Sequence, residues 1–553
     1  MILINQAIIH TLIVYVTGGL SMKTLSYVVL LLLSFAVPVR AAAVVYSGCA
    51  VPPTTFRHVW YFDPLHGKTQ AAGGNGSQAS PWNNLQALVQ AEPGYSYPLL
   101  TTAPYLQSVA AGKPWVTTTG PKAGPIAPGD EILLMSGNYS NLWINIWAAE
   151  ISNSAFVTIA SAPGQTPVLT SLLVSGTNEW IFDGLKVQSL QPAALNGDTL
   201  VEVNDGGASF PTSNIVFENM TISSQDNAEA WSKAQWVANA RTGFFARSTA
   251  GATDTKCISF TGSHISNVRT GASIAASQLV FSNNQIDHFG DDGIDYAASN
   301  LSITHNDIHD NLDIGDGNHE DAMQGQIGYL APGATVNYFK NILIDSNLIV
   351  RQTDPELSFP TYLQGIDAFD EDWTNVTVTN NVVITSACQG ISFASIHNSL
   401  IANNTVLEDG LVSTPGCTAA IDVGGASHEG PLSSNTVVRN NLSSQLNVDT
   451  RDSGVVADYN VVMCCGGREI SWYVNGAIQY LGQPGTYTNS NIIDSGGAKS
   501  EFVNFNSATL TYNVMLKAGA QAIGSGTTGA PTVDILGVTR KAPYAVGAYS
   551  YPE

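Results

Sequence analysis

A short hydrophobic strand recurs along the chain from about residue 214 onward. Each copy alternates apolar and polar residues, passes a polar corner, and places a β-branched residue five positions after its central apolar one. The shortest spacings are 22 and 23 residues, and longer spacings fit the same unit with an inserted loop. The copies read NIVFENMTI, ISFTGSHI, LVFSNNQI, LSITHNDI, ILIDSNLI, VTVTNNVV, LIANNTV and TVVRNNL.

This period predicts a solenoid of stacked coils. Helical repeats are longer and follow a 3.6-residue period, and leucine-rich repeats need recurrent leucines; the chain has neither pattern. In a parallel β-helix each coil adds one strand to each sheet, about 4.8 Å from the previous strand. We therefore predict an all-β, single-stranded parallel β-helix with inserted loops and a short N-terminal cap.

An asparagine occupies the same corner position in six of the copies. Asparagine tolerates the left-handed conformation and can form side-chain ladders, so this column is predicted to be architectural. Its members are Asn284, Asn306, Asn347, Asn381, Asn404 and Asn441.

A second strand follows this corner, as at Ile294, ten residues after Asn284. Because side chains alternate along a strand, the residue after each central apolar position is predicted to point outward. Inserted loops near 311–318, 352–362 and 407–415 arrive just before this strand, so they should wall one side of the same face. The predicted outward column is Asp295, Gln324, Asp367, Ser392 and Asp422.

Carboxylates concentrate on two successive copies of this second strand. The predicted register places Asp292 over Asp321 and Asp291 over Glu320, about 5 Å apart. Like charges at that distance require a shared proton or a bound cation, and the alternative is a solvated acidic edge whose carboxylates point apart. The cluster consists of Asp291, Asp292, Asp295, His319, Glu320 and Asp321.

Composition restricts the partners. The 553-residue chain has a formal charge of −22, a pI near 4.6 and only 12% charged residues. Such a surface disfavours nucleic acid and anionic membranes, and it repels a polyanion unless a cation intervenes. We expect a polysaccharide or oligosaccharide partner, and a monomer.

The N-terminal 43 residues are predicted to be a signal-peptide region with its true start at Met22. Lys23 supplies the positive charge, residues 27–37 the apolar core, and residues 40–43 a small-residue cleavage site. The expected location is secreted or periplasmic, with an uncleaved membrane anchor as the alternative.

Export permits disulfides, and Cys388 and Cys417 hold equivalent positions before two repeat strands. Beyond the signal, we expect a cap with first coils (44–140), a core (141–460), and C-terminal coils with a cap (461–553).

Both ends of the mature chain carry a resemblance to a known superfamily. The start at Tyr61–Trp82, the segment PGDEILLMSGNY at 128–139, and the tail at 516–549 resemble secreted proteins of the pectate-lyase-like superfamily. The resemblance implies a right-handed parallel β-helix. Members are mostly polysaccharide lyases, glycoside hydrolases and uronan epimerases, and the fold does not choose among these reactions.

The string DDGID at 291–295 is similar to the calcium-binding DDGxD of family 9 pectate lyases. That resemblance implies Ca²⁺ ligands at Asp291, Asp292 and Asp295, and Glu320 is the candidate fourth ligand from the next coil. The chain departs from that family in two places. Gln324 stands where the family has its catalytic lysine, and 269–271 (Arg-Thr-Gly) stands where it has a further ligand.

Two reactions therefore compete for the acidic residues. Elimination needs another base, for which His319 is the first candidate; Lys340, Arg351 and Tyr296 are alternatives. Hydrolysis needs two carboxyl groups, about 5 Å apart for retention or roughly 6.5–9.5 Å for inversion, which Asp292/Asp321 and Asp295/Asp367 respectively suit. Family 28 hydrolases also carry aspartates on consecutive coils, but their His-Gly and Arg-x-Lys elements have no match here.

The sequence thus predicts a secreted polysaccharide-cleaving enzyme, with calcium-assisted elimination, hydrolysis and uronan epimerisation as its possible reactions. A glycan-binding surface protein or adhesin is the non-enzymatic alternative. The predicted catalytic residues are His319, Asp292 and Asp321. The predicted substrate-binding residues are Gln324, Asp367, Trp373 and Arg351.

Overall fold

The computed structural model describes the chain between Tyr46 and Tyr551, with gaps. The described ranges are 46–107, 116–118, 123–145, 150–189, 199–206, 210–248, 255–326, 337–411, 418–428, 430–449, 452–463, 470–474, 477–480, 490–494, 496–529 and 531–551. The predicted signal-peptide region lies outside them. Among the helices of these ranges, none has the length and hydropathy to cross a bilayer.

Three long sheets, built almost entirely of parallel strands, run the length of the chain, and each coil contributes a strand to sheet A, then B, then C. Sheet A has 14 strands. They are β1 Val59–Phe62, β4 Glu131–Leu134, β7 Val157–Ser161, β10 Asn178–Asp183, β13 Ser213–Glu218, β16 Lys256–Thr261, β19 Ser277–Ser282, β22 Leu301–Thr304, β25 Tyr338–Asp345, β28 Asp372–Thr379, β31 Ile396–His397, β32 Leu400–Ala402, β35 Val437–Arg439 and β38 Val456–Asp458.

Sheets B and C have 13 strands each. Sheet B contains β5 Gly137–Asn138, β8 Pro167–Leu169, β11 Lys186–Gln188, β14 Thr221–Ser223, β17 His264–Val268, β20 Gln285–Phe289, β23 Asp307–Asn311, β26 Leu348–Val350, β29 Val382–Thr385, β33 Thr405–Glu408, β36 Leu442–Ser443, β39 Val461–Val462 and β42 Ile492–Ile493. Sheet C contains β6 Asn141–Ile144, β9 Ser171–Ser175, β12 Thr199–Asn204, β15 Thr242–Arg247, β18 Ala272–Ala275, β21 Ile294–Tyr296, β24 Asp321–Gln324, β27 Gln364–Ala368, β30 Gln389–Phe393, β34 Ala420–Val423, β37 Gln445–Asp449, β40 Ile470–Val474 and β41 Ala477–Tyr480.

The remaining elements are short. Two antiparallel pairs lie outside the three sheets, β2 Tyr105–Gln107 with β3 Val116–Thr118, and β43 Phe502–Asn506 with β44 Thr511–Leu516. The helices are α1 Lys233–Asn239 and α2 Ala498–Glu501, with 3₁₀ helices at Gln70–Ala72, Leu85–Leu88, Ala228–Ala230 and Ser507–Thr509. The predicted parallel β-helix is confirmed.

The interior is filled by columns of inward side chains from successive coils. On sheet A, Phe182, Phe217, Phe260 and Phe281 follow one another with ring centroids 5.2, 5.8 and 5.1 Å apart. These rings are fully buried. Stacked aromatics add to the burial energy, and the column fixes the register of neighbouring strands.

The predicted asparagine ladder is present and runs further than the sequence pattern indicated. Each ladder asparagine donates its side-chain amide to the side-chain oxygen of the next, as Asn347 does to Asn381 over 2.9 Å. Asn460 and Asn491 extend the ladder. The left-handed conformation occurs at the position before each ladder member, such as Ser346 and Asn380, and not at the ladder asparagine itself.

The N-terminal cap covers the first coils. Its 3₁₀ helix, Leu85–Leu88, buries three apolar residues. The side chain of Gln86 accepts from the backbone N–H of Trp143 and donates to its carbonyl, both over 3.0 Å. Since Trp143 belongs to β6, the first strand of sheet C, this contact satisfies an otherwise open sheet edge.

Disulfides cross-link the chain. Cys49 bonds to Cys257, 208 residues away, which ties the N-terminal segment to β16. Cys388 is also disulfide-bonded. Its predicted partner, Cys417, lies outside the described residues.

The inserted loops sit where the repeat predicted them, between sheet B and sheet C. Residues 312–320, 351–363 and 409–419 each connect a sheet B strand to the following sheet C strand. A fourth insertion, 224–241, occupies the same position and contains α1, which the sequence pattern did not reveal. All four therefore lie beside the outward face of sheet C.

Candidate functional site

The predicted outward column is confirmed residue by residue in the register of sheet C. Asp295 pairs with Gln324, Gln324 with Asp367, Asp367 with Ser392, and Ser392 with Asp422. Neighbouring members are therefore about 4.8 Å apart along the coil axis. Side chains on this face, together with the sheet B to sheet C loops, form what we call the acidic cleft, defined by Asp291, Asp292, Asp295, His319, Glu320, Asp321, Gln324 and Asp367.

The sheet C strands of the acidic cleft begin with small residues for a steric reason. A Cβ at Gly365 would lie 2.0 Å from the carbonyl oxygen of Gly390, and a Cβ at Gly293 would lie 2.6 Å from that of Ala322. Contacts this short are not tolerated, so only a very small residue lets successive coils approach here. This close approach positions the carboxylates of adjacent coils against each other.

The predicted stacking of Asp292 over Asp321 is present. The backbone N–H of Asp321 donates to Asp292 Oδ1 over 3.0 Å, and Asn318 donates to Asp292 Oδ2 over 3.4 Å. Both aspartates are buried, Asp321 completely. Asp321 is therefore connected to solvent only through a neighbour, and the neighbour is a histidine.

His319 forms the accessible end of a hydrogen-bonded chain. Its Nδ1 lies 2.7 Å from Asp321 Oδ2, and the side chain of Gln324 donates to the same oxygen over 3.1 Å. The hydrogen bond with Asp321 raises the pKa of His319 above its usual range. With 55% of its side chain exposed, His319 presents its other ring nitrogen to solvent.

Burial raises the pKa values of Asp295 and Asp367 and so favours their protonated forms. It raises the pKa of Asp295 to about 7, with further contributions from the charges of Asp291 and Asp321. Burial followed by the charge of Asp321 raises the pKa of Asp367 well above its usual range. Asp295 is only half-buried, yet protein atoms crowd its carboxyl group, and among the described residues no donor reaches its Oδ1. Asp295 is therefore a carboxyl group that can hold or release a proton near neutral pH.

The predicted calcium ligands are engaged elsewhere. Asp291 accepts from Arg269 Nε over 2.8 Å, and Arg269 also contacts Asp316 over 2.8 Å. Glu320 accepts from the hydroxyl group of Thr361 over 3.1 Å. Within the described part of the chain, no group of three or more His, Cys, Asp or Glu residues is arranged to hold a metal ion. The set Asp291, Asp292, Asp295 and Glu320 does not fit Ca²⁺ in this arrangement, so calcium dependence stays a prediction.

All four predicted substrate-binding residues are buried, with Gln324 7% and Asp367 2% exposed, and the other two are held in contacts that leave nothing for a sugar. Trp373 is fully buried against Tyr296, with ring centroids 5.6 Å apart, so it fills the core and offers no face to a sugar. Arg351 is 1% exposed and donates to Asp409 over 2.7 Å and to the carbonyl of Thr361 over 2.9 Å. Arg351 therefore forms a buried ion pair that anchors an inserted loop, and from this position it cannot bind a glycan.

Neither of the two further alternative bases fits. The Tyr296 hydroxyl is buried and donates to the carbonyl of Asp367, and burial raises its pKa well above the usual range. Lys340 lies on sheet A, outside the acidic cleft. His319 remains the base or acid that reaches solvent.

Sequence reasoning missed the role of Arg269. The sequence pattern identified Arg269 only as part of the segment that stands where family 9 pectate lyases have a further metal ligand. The ion pairs with Asp291 and Asp316 join β17 to the loop that carries His319. No periodic signal identifies this contact, because Asp316 lies in an inserted loop.

The raised pKa values predict how stability depends on pH. Asp295 and Glu320, both near 7 in the folded protein, exceed the ordinary range near 4. Between about pH 4 and 7 the folded state therefore binds protons that the unfolded chain releases, so raising the pH favours unfolding. We expect the Tm, measured with EDTA present, to fall as pH rises from about 5 to 8. A smaller fall is expected in Asp295→Asn, and an unchanged Tm in the wild-type protein would contradict the assignment.

Comparison with known proteins gives only distant matches. No family model matches the chain, and no curated protein does. Among solved structures, the pectate lyase Pel9A is 13% identical, covering 91% of this chain and 98% of that one, with a TM-score of 0.38. XylC in complex with xylose is 8% identical over 90% and 98%, with a TM-score of 0.44. PfbA, a surface adhesin of Streptococcus pneumoniae, is 9% identical over 65% and 83%, with a TM-score of 0.39.

These likenesses assign no reaction to the chain. The class follows from the sheet topology itself, in which three long sheets receive one strand each from every coil. The chain is a parallel β-helix protein with an acidic cleft on the outward face of sheet C.

Proposed function

We propose that the protein is an extracellular glycan-cleaving enzyme that hydrolyses a neutral glycan in the acidic cleft. The observation that carries the proposal is the placement of two acid–base groups on adjacent coils, with His319 exposed and Asp295 half-buried. Asp295 has a pKa of about 7, and His319 is held by Asp321 with its pKa raised. A proton donor and a proton acceptor held on adjacent coils are what general acid–base catalysis needs.

The reaction assigns one proton transfer to each group. His319, protonated, donates from its outer ring nitrogen to the glycosidic oxygen as the bond to the anomeric carbon breaks. Asp295, ionised, takes a proton from the water that attacks that carbon. Asp321 is a positioning residue that holds Nδ1 of His319 and stabilises its protonated form. The products are two shorter glycans, and one proton returning from Asp295 to His319 restores the enzyme.

The charge of the cleft favours a neutral substrate. Elimination from a uronic acid requires a positive group to neutralise the carboxylate of the substrate. Arg269, the arginine nearest the acidic residues, is already paired with Asp291 and Asp316. Gln324 carries no charge and donates to Asp321. Protonated His319 is then the positive group that faces solvent, and carboxyl groups surround it, so the cleft favours a neutral sugar over a uronate.

The test is product analysis on a panel of neutral and acidic polysaccharides, with and without EDTA. We expect new reducing ends on a neutral glycan, no ultraviolet absorbance from an unsaturated sugar, and loss of at least about 10²-fold in kcat in His319→Ala. His309→Ala is the matched control, because His309 is also paired with an aspartate, over 2.7 Å, but lies on sheet B.

Other outcomes would overturn specific parts of the proposal. Ultraviolet absorbance that EDTA abolishes would replace hydrolysis with calcium-dependent elimination. Retention of a polysaccharide without any shortening of its chain would favour a binding protein. Full activity in His319→Ala would remove the assigned site.

A further inference from the structure

The outward column of sheet C continues from Asp295 toward the N-terminus without interruption. Strand register pairs each member with the next through six strands of sheet C. The new members, in order toward the cleft, are Trp143, Leu173, Glu202, Phe245 and Ser273.

This N-terminal stretch differs in character from the acidic cleft. Trp143 is 50% exposed, and Leu173 and Phe245 are partly exposed, although they lie on the outward face where polar residues are expected. On the other side of the cleft, the column continues as Ser392 and Asp422. Apolar and aromatic side chains thus occupy only one side of the acidic residues.

The aromatic groups are held in place. The backbone of Trp143 is fixed by Gln86 of the cap, and its indole N–H donates to Ser171 Oγ over 3.3 Å. The guanidinium of Arg247 lies 5.1 Å from the ring centroid of Phe245 and pairs with Glu202 over 3.0 Å. A fixed aromatic side chain loses little entropy when a ligand packs on it, so these contacts prepare a binding surface.

We propose that Trp143, Leu173 and Phe245 form a platform that binds the glycan chain on the N-terminal side of the cleft. This inference rests on the proposed function, because its ligand is the same neutral glycan. Aromatic rings offer flat apolar faces to the C–H faces of sugars, while nearby polar groups bind hydroxyls. A neutral glycan carries no carboxylate, so the carboxyl groups of the cleft do not repel a glycan bound to this platform.

The distances between the platform and Asp295 require a polymeric glycan as the ligand. Phe245 is two strands from Asp295, or roughly 10 Å along the axis, and Trp143 is five strands away, or roughly 24 Å. A single sugar cannot bridge these distances, so the platform adds nothing to the binding of a short fragment. Several linked sugars lying along the coil axis would contact the platform and the cleft at once.

The test measures binding separately from cleavage. Native gels containing arabinoxylan, galactomannan or mixed-linkage glucan should retard the wild-type protein on at least one polysaccharide. Trp143→Ala and Phe245→Ala should each weaken that binding about tenfold, the equivalent of about 1.4 kcal/mol. Tyr338→Ala is the matched control, because Tyr338 is 51% exposed but lies on sheet A. Trp143→Ala is the decisive variant if Phe245→Ala lowers the Tm.

Asp295→Asn separates this inference from the proposed function. If the inference is right, that variant is retarded like the wild-type protein although its kcat is lowered about 10³-fold. Lost retardation in Trp143→Ala, without cleavage by the wild-type protein, would support the platform and reject the hydrolase. Equal retardation of Trp143→Ala and wild type, or none by any polysaccharide, would overturn the platform.

Discussion

Asp295→Asn should lower kcat by about 10³-fold while leaving the protein folded and raising its Tm. The amide cannot take a proton from water, so the assigned base is lost. The same change removes a carboxyl group whose pKa burial and the charges of Asp291 and Asp321 raise to about 7. Removing that charge relieves the repulsion in the cleft, and an amide can donate to a neighbouring carboxylate. Gain of stability with loss of activity is the expected mark of a functional site.

The measurement combines kcat on the neutral glycan with thermal unfolding at pH 8. Asp307→Asn is the matched control, because burial also raises the pKa of Asp307, but this residue lies on sheet B. The control should keep wild-type kcat. An Asp295→Asn protein that keeps its activity, or that unfolds at a lower temperature, would contradict the account of the cleft.

Asn347→Ala should lower the free energy of unfolding by about 4 kcal/mol. The side chain of Asn347 donates to the carbonyl of Ile303 and to Asn381, both over 2.9 Å. Its oxygen accepts from the backbone and side chain of Asn306 over 2.9 and 3.0 Å. Asn347 is fully buried, so its loss leaves several polar groups without partners and away from water. Urea unfolding followed by circular dichroism measures the effect.

Asn491→Ala provides the comparison from the end of the same ladder. Asn491 accepts from Asn460 over 3.0 and 2.9 Å and donates to Ala457, but it is only half-buried. Water can replace its hydrogen bonds, so we expect a loss of about 1 kcal/mol. Equal losses in the two variants would show that burial of the ladder does not set its strength.

Periodicity predicted the regular part of this protein well. A repeat near 22 residues, with alternating strands and one asparagine per coil, specifies strands that pair only with their neighbours along the axis. The register of Asp295, Gln324 and Asp367 followed from counting, because a shift of one residue would turn every apolar side chain outward. The stacking of Asp292 over Asp321 came from the same count.

Contacts made by inserted loops were beyond this reasoning. Arg351 and Trp373 were assigned to the substrate because charged and aromatic residues near a cleft often bind sugars. The structure buries both of them, one against Asp409 and the other against Tyr296. Arg351 follows β26 and Trp373 lies in β28, and whether such a side chain turns toward the core or toward solvent depends on which loops and coils pack over it. Periodicity does not encode that choice.

The sequence by itself determined the β-helix, the asparagine ladder and the outward column of sheet C. Each depends on side-chain alternation within a coil and on stacking between adjacent coils, and both are local and regular. Only the tertiary structure decided that Arg269 pairs with Asp291 and that Asp321 acts through His319. Only the tertiary structure continued the outward column to Phe245 and Trp143. These features depend on how individual side chains turn and on how the N-terminal coils pair, and the repeat pattern from residue 214 onward encodes neither.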